Sequence, residues 1–475
     1  MGGEGKLTKD ISYGSVLGRK NDIMNKALGI DYAAFEISPL AFDYEGMMNN
    51  TAYSLEETAA IQKQAGVGNT PLFELKNLTA LVRANSPSGK GARIMVKDEA
   101  ANPAGSFKDR RASISVYHAR EKGYPGVIAA TSGNYGAAVA SQAAMRGLKC
   151  IIVQEVFDSK HIGQPEIIEK TRKCEALGAE VIQLTVGPEL FYMSLLLLEE
   201  TGFFNASLYS PLGISGVETL GYELAGQVRE RYSQDPAAVI VTHAGGGNVT
   251  GTARGLLKAG CIDTKVIGVS VDLMGLHMAS DYDFNRKSFT TGHTGFGVPF
   301  ASWPDRTDVP RSAARPLRYL DRYVTVTQGE VFYVTQALAE VEGLERGPAG
   351  NTSLAAALAI ASEYDQDEIV VVQETEYTGA GKHPMAQLNF AKNMGVEIRR
   401  GDPAENVPGK TIVIPERFSQ LQVTDQSLGK LRRSYLRNSL ESSKITHVSK
   451  EEVDFLAAET RTSREWVVQI LKELK

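Results

Sequence analysis

Cysteine is scarce in this chain. Its 475 residues include 3 cysteines, Cys150, Cys174 and Cys261, with no C-x-x-C pair among them. An odd, sparse set excludes a disulfide framework and fits a reducing compartment. No H-E-x-x-H or H-x-x-x-H spacing occurs, so no metal site is expected. Apolar runs such as "SLLLL" and "IVVV" are far too short to cross a bilayer. A formal net charge of −5 leaves no basic excess for nucleic acid. The opening "MGGEGKLTKD" lacks the apolar core of a secretory leader, and Lys6 breaks the myristoylation pattern. The expectation is a soluble, cytoplasmic protein with no nucleic-acid or membrane partner.

A 43% hydrophobic share over this length is enough for two domains with their own cores. From Gly68 onward, short β-branched runs alternate with longer amphipathic stretches. The runs are "ARIMVK", "GVIAAT", "CIIVQ", "EVIQLT", "AVIVTHA", "KVIGVSV" and "EIVVVQE". Apolar strands of this length separated by helices predict an α/β fold with a mostly parallel sheet covered on both faces. Residues 1–66 are helix-prone, and Ser54 and Glu57 have capping-box spacing. Residues 403–430 look loop-like, and two short helices then follow. Their capping-box spacings are Ser449 to Glu452 and Thr462 to Glu465. Cys150 and Cys174 fall on strand or helix patterns and are expected to be buried. Cys261, just past "KAG", is expected at the surface.

Five stretches bear on chemistry. "GNTPLFEL" is a turn before a strand. "NPAGSFKDRRA" places Lys108, Arg110 and Arg111 at the start of a helix, where the dipole favours anions. Nearby cations and a helix N-terminus both favour a neutral lysine amine, and that form condenses with an aldehyde. At helix spacing the two arginines cannot both face one ligand. Ser106 and Asp109 have capping-box spacing, and Gly105 permits close backbone approach. In "ATSGNYGAAVA" a strand opens into a helix. Thr131, Ser132 and the free N–H groups there suit a carboxylate, while Asn134 offers a donor and an acceptor. "VIVTHAGGGNVTGTARGLLKAG" can fold its glycines into a phosphate nest. It lacks both the third glycine of G-x-G-x-x-G and the G-K-[ST] of a nucleotide loop. "ETEYTGAGKHP" is not a P-loop either, because His383 follows Lys382 and Glu376 stands where glycine is needed. Thr378 there could instead meet a ring nitrogen.

Taken in order, G-N-T-P-L, G-S-F-K-D-R, S-G-N-Y-G, G-G-G-N and T-G-x-G-K resemble the fold-type II pyridoxal-phosphate enzymes, the tryptophan synthase β and threonine synthase family. The resemblance covers roughly residues 66–390. It implies that Lys108 holds pyridoxal 5′-phosphate covalently and moves protons. It implies that Asn134 meets the pyridine 3-hydroxyl and Thr378 the pyridine nitrogen. Gly245, Gly246, Gly247, Asn248, Val249 and Thr250 would bind the phosphate. Thr131, Ser132, Gly133, Asn134 and Tyr135 would take the substrate carboxylate. The implied domains are a helical extension (1–66), a large cofactor domain (67–124 and 230–400), a small α/β domain (125–229) and a C-terminal extension (401–475). "SGVETLGYELAGQV" resembles the helix that follows the small domain.

A narrower resemblance lies in "GRKNDIMNKALGIDY", "SKHIGQPEIIEKTRKCEALGAEVIQLTVGPELFY" and the glycine stretch. These look like the β subunits of a group of thiolases. That likeness implies cleavage of a 2-amino-4-oxo acid with coenzyme A, giving alanine and acetyl-CoA in ornithine degradation. It also implies a small α subunit, with a homodimer of this chain inside a hetero-oligomer. His161, His293 and His383 are candidates for activating the thiol. Two alternatives are a threonine synthase-like β-elimination or replacement lyase and a non-catalytic subunit that kept the fold. Retention of the lysine, asparagine, glycine loop and threonine argues against the second.

Overall fold

The alternation of β-branched and helix-forming stretches becomes two main, mostly parallel sheets, beside a small two-stranded one, in the computed structural model of the chain. The structure describes residues 9–474, apart from 52, 132, 304, 306–307, 378–383 and 446. The N-terminal segment is helical: α1 (Tyr13–Gly18), α2 (Lys20–Leu28), α3 (Tyr44–Asn49) and α4 (Leu55–Gln64). The Ser54–Glu57 capping box forms at the start of α4. β1 (Leu72–Glu74), α5 (Lys76–Ala84), β2 (Arg93–Asp98) and α6 (Lys108–Glu121) follow. A βαβ series comes next: β3 (Gly126–Thr131), α7 (Asn134–Arg146), β4 (Lys149–Phe157), α8 (Pro165–Ala176), β5 (Glu180–Thr185), α9 (Glu189–Thr201) and β6 (Phe204–Asn205). The long α10 (Pro211–Tyr232) then leads to β7 (Ala238–Thr242), α11 (Gly247–Lys258) and β8 (Lys265–Val271). Beyond a long irregular segment lie β9 (Arg322–Val326), α12 (Gln328–Glu342), α13 (Asn351–Ile360) and β10 (Ile369–Glu374). The chain closes with α14 (Pro384–Asn393), β11 (Glu397–Arg400), β12 (Thr411–Ile414), β13 (Thr424–Asp425), α15 (Leu428–Ser443), α16 (Lys450–Thr460) and α17 (Arg464–Glu473).

The larger sheet runs β1-β2-β10-β7-β8-β9-β13, parallel except for its two edge strands. The smaller runs β5-β4-β3-β6 and is parallel throughout. The inner strands β2, β10, β7 and β8 of the larger sheet and β3 and β4 of the smaller are buried almost throughout, as strands of parallel sheets are. The N-terminal helices pack with the small sheet: Ile23, Met24, Leu28 and Met47 share a core with Val127, Ile128 and Ile152. The C-terminal helices pack on one side of the large sheet, where Leu431, Leu456, Val467 and Leu471 join Leu220, Leu224 and Leu256. Leu78, Val334, Leu338 and Leu354 fill the other side.

The structure corrects four local expectations. The 403–430 stretch contributes β12 and β13, and α15 adds a third helix to the C-terminal pair. The Ser449–Glu452 box forms as expected, but α17 is capped by Ser463, whose Oγ accepts from the Trp466 N–H. Ser106 and Asp109 form no capping box; the Asp109 carboxylate accepts instead from the Ala104 N–H at 2.7 Å. Cys261 is buried like Cys150 and Cys174, with its thiol pushed up to about 11 by burial.

Candidate active site

In open α/β sheets the crevice beyond the carboxyl ends of the strands is where ligands settle. Here the carboxyl ends of β3, β7 and β10 and the start of α6 surround one cavity of about 790 Å³. Residues of segment 272–315, between β8 and β9, among them His277, His293, Phe296 and Phe300, also line it. That segment also grips the small sheet: Ser207 donates to Asp308 at 2.7 Å, the Asn205 amide donates to the Asp308 carbonyl, and Lys287 pairs with Asp158.

The loop before Lys108 is pinned to the end of β10. The Phe107 N–H donates to Thr375 O at 3.1 Å, and the Tyr377 N–H donates to Gly105 O at 2.8 Å. Gly105 has φ +78°, and a Cβ there would lie 2.8 Å from Tyr377 O, so only glycine fits. Lys108 Nζ enters the cavity, 4.0 Å from the Glu376 carboxylate and 4.6 Å from the centre of the Phe107 ring. The two arginines expected to crowd Lys108 are turned elsewhere. Arg110 points away, into a buried network with Glu99 at 2.7 Å and Glu223 at 3.2 Å. Arg111 is also buried but turns toward the glycine loop, with Nη1 donating to Leu208 O at 3.3 Å.

At the end of β3, Thr131 Oγ1 accepts from the Gly133 N–H at 3.0 Å and shapes the turn into α7. Thr131, Gly133, Asn134 and Tyr135 all line the cavity. The Asn134 side chain makes no hydrogen bond among the described residues. Beside this turn stands Lys170, from α8. Its Nζ lies 3.1 Å from where a Gly133 Cβ would be and is paired with Glu166 at 2.6 Å.

At the end of β7, Gly245, Gly246, Gly247 and Asn248 line the cavity. Gly246 has φ +83°, and a Cβ there would meet Pro316 Cγ at 2.6 Å. The N–H groups of Gly247, Asn248 and Val249 start α11 and have no intrahelical acceptor. The Asn248 Nδ2 is buried without a partner. The Thr250 N–H and hydroxyl both donate to Gly246 O, at 3.0 and 2.8 Å. The Val249 side chain packs in the core. The cavity therefore brings together Lys108, the group Thr131, Gly133, Asn134 and Tyr135, and Gly245–Asn248, while the side chains of Val249 and Thr250 stand outside it. Ser132, Thr378 and His383 lie outside the described residues.

Of the remaining histidines, His161 is exposed and apart from the cavity, whereas His293 lines it. Burial, with the Lys170 and Lys108 cations, pushes His293 down to about 3, so its imidazole is neutral. His277 also lines the cavity, but its ring is used: Nδ1 accepts from the Ala279 N–H, and Nε2 meets Val298 O and Asp281. The motifs gave no sign of Lys170 or His277 as cavity residues. Glu376 stood out only as a departure from a P-loop. A lysine four residues after a glutamate was visible in "PEIIEK", yet that spacing usually marks a surface pair.

The family model described as "Pyridoxal-phosphate dependent enzyme" matches residues 63–375. A "2-amino-4-ketopentanoate thiolase beta subunit" from an unknown prokaryotic organism is 70% identical, over 98% of this chain and 99% of that one. A protein of the same name from Acetoanaerobium sticklandii is 62% identical, over 99% of this chain and 100% of its own length. A threonine synthase from Bacillus sp. is 27% identical over 66% of this chain and 83% of its own. Among solved structures, cysteine synthase from Entamoeba histolytica matches with TM-score 0.51 and 21% identity, over 69% of this chain and 88% of that one.

Proposed function

The chain belongs to the pyridoxal-phosphate dependent enzyme family, and on that premise we propose that it is the β subunit of a 2-amino-4-oxopentanoate (2-amino-4-ketopentanoate) thiolase. The enzyme cleaves its substrate with coenzyme A to alanine and acetyl-CoA, as a step of ornithine degradation. A small α subunit completes it, around a homodimer of this chain. One observation carries this reading: lysine, amide and glycine loop meet in one cavity, in a chain 70% identical along nearly its whole length to a subunit of that name. In the same reading residues 67–124 and 230–400 form the cofactor domain and 125–229 the small domain.

The cavity residues fit pyridoxal phosphate. Lys108 offers the amine that bonds its aldehyde. Gly245 to Gly247 put no side chain between the start of α11 and the cavity, and the orphaned Asn248 Nδ2 is a donor awaiting an acceptor. When bound, the cofactor supplies an electron sink for carbanion character at and beside the α carbon of the amino acid.

The chain's own groups do the rest. Asn134 would hold the 3-hydroxyl, and the pyridine nitrogen falls to Thr378, which lies outside the described residues. The substrate carboxylate settles on the start of α7, beside the Lys170 cation. Lys108 removes the α proton and returns a proton to the three-carbon fragment. The coenzyme A thiol adds to the C4 carbonyl, the C3–C4 bond breaks, and the acetyl group leaves on sulfur. The electron pair left on C3 takes a proton, completing alanine. His293, held neutral in the cavity wall, is placed to orient the thiol, whose proton ends on C3. The apolar flank of Val186, Pro188, Phe296 and Phe300 takes the pantetheine arm.

Mixed with its α subunit, the protein should release acetyl-CoA from 2-amino-4-oxopentanoate only when coenzyme A is present. Ammonia or phosphate released from a hydroxy-amino-acid ester would place it among the lyases instead. Lys108→Ala should lose the visible absorption of the bound cofactor and slow turnover at least about 10³-fold. An unchanged band in that variant would remove Lys108 from the reading.

A further inference from the structure

Two adjacent arginines have opposite surroundings. Arg110 is buried with two carboxylates for company. Arg111 is 3% exposed, and no carboxylate among the described residues pairs with it. Among the described residues its one hydrogen bond is the 3.3 Å contact from Nη1 to Leu208 O, and its Nε has no partner. A buried, unpaired guanidinium is costly, and native structures rarely keep one without a use.

Its position identifies the use. A Cβ on Gly247 would lie 2.6 Å from Arg111 Nη2 and 2.9 Å from Nη1. The missing side chain of Gly247 is thus what lets the guanidinium reach the glycine loop. It arrives where the N–H groups of Gly247, Asn248 and Val249 open α11, a helix of 12 residues, beside the unpartnered Asn248 Nδ2. Phe107 packs against its other side, with Cζ 5.1 Å from the ring centre. Apart from the Nη1 bond to Leu208 O, these donors have no acceptor among the described residues.

We propose that Arg111 is the counter-charge of the cofactor phosphate, closing over the glycine loop as a charged lid on the anion. This rests on the pyridoxal-phosphate reading and adds a residue to it. A helix N-terminus contributes about half a charge, whereas the phosphate approaches two. A guanidinium supplies a full charge and two parallel donors, which match phosphate oxygens. Burial alone pushes Arg111 down to about 10 in the free protein, and a bound dianion would reverse that. The same step explains why Arg111 does not serve Lys108: it is committed to the other end of the cofactor.

The test compares two probes on the cofactor-free full-length chain, pyridoxal 5′-phosphate and pyridoxal, by absorbance titration. Arg111→Met should weaken pyridoxal 5′-phosphate binding about 30- to 100-fold and leave pyridoxal within about 3-fold. Arg111→Lys should recover part of the loss. The cofactor-free Arg111→Met chain should melt no lower than wild type, because an unpaired buried charge has been removed. Equal weakening of both probes, a lower melting temperature or unchanged phosphate binding would each overturn the proposal. A wild-type chain that binds neither probe would instead overturn the cofactor reading beneath it.

Discussion

Two strand-to-helix turns face the same cavity, and they treat positive charge in opposite ways. Where β3 passes into α7, Lys170 stands over Gly133 and is already held by Glu166 at 2.6 Å. Where β7 passes into α11, Arg111 stands over Gly247 with no carboxylate among the described residues. Both cations are buried, and both turns open helices of similar length. A cation with its own carboxylate loses little when a ligand departs, so the ligand can exchange. A buried cation without one is satisfied only while its ligand stays. The first arrangement suits a substrate that turns over, and the second suits a group that remains.

The sharpest way to break this comparison is to fill the two turns. Gly246→Ala must adopt φ +83° and place a Cβ 2.6 Å from Pro316 Cγ. Chemical denaturation should show a loss of about 1–3 kcal/mol, with weaker cofactor retention. Gly133→Ala meets only the flexible Lys170 chain, at 3.0 Å from Cδ, and should cost less than about 1 kcal/mol. Equal costs would mean that the turns do not differ in rigidity.

The next test removes the paired cation. Lys170→Met should raise KM for the amino acid substrate about 10- to 30-fold while cofactor affinity holds. A loss of cofactor with unchanged KM would reverse the roles of the two turns. The smallest expected effect comes from making one turn resemble the other. Glu166→Gln leaves Lys170 without its carboxylate, so alanine should inhibit about 3- to 10-fold more tightly. Steady-state inhibition measures this, and weaker inhibition by alanine would sink the idea that pairing favours exchange.

Much of the fold was legible because its signals are local. Each of the seven expected apolar runs became a strand, since a five- or six-residue β-branched run between helix formers has few other uses. Lys108, Asn134 and Gly245–Asn248 were legible for the same reason: each sits in a strand, turn and helix start only a dozen residues long. The rest of the site was not local. Segment 272–315 has no periodicity, yet it helps line the cavity and supplies His277 and His293. The Ser106–Asp109 spacing misled because β10 pins the preceding loop and draws Asp109 to Ala104. Cys261 looked exposed because its neighbours end a helix, but the large-sheet core and Arg229 enclose it.

The sequence by itself determined the two main, mostly parallel sheets, the lysine at a helix start and the glycine loop at another, because short-range sterics and hydrophobic period decide them. Only the tertiary structure decided which charges are compensated. Arg110 meets Glu99 and Glu223, 11 and 113 residues away, while its neighbour Arg111 meets no acid among the described residues. One position along a helix turns a side chain by about 100°, and that rotation separates an arginine that holds the fold from one left to hold an anion.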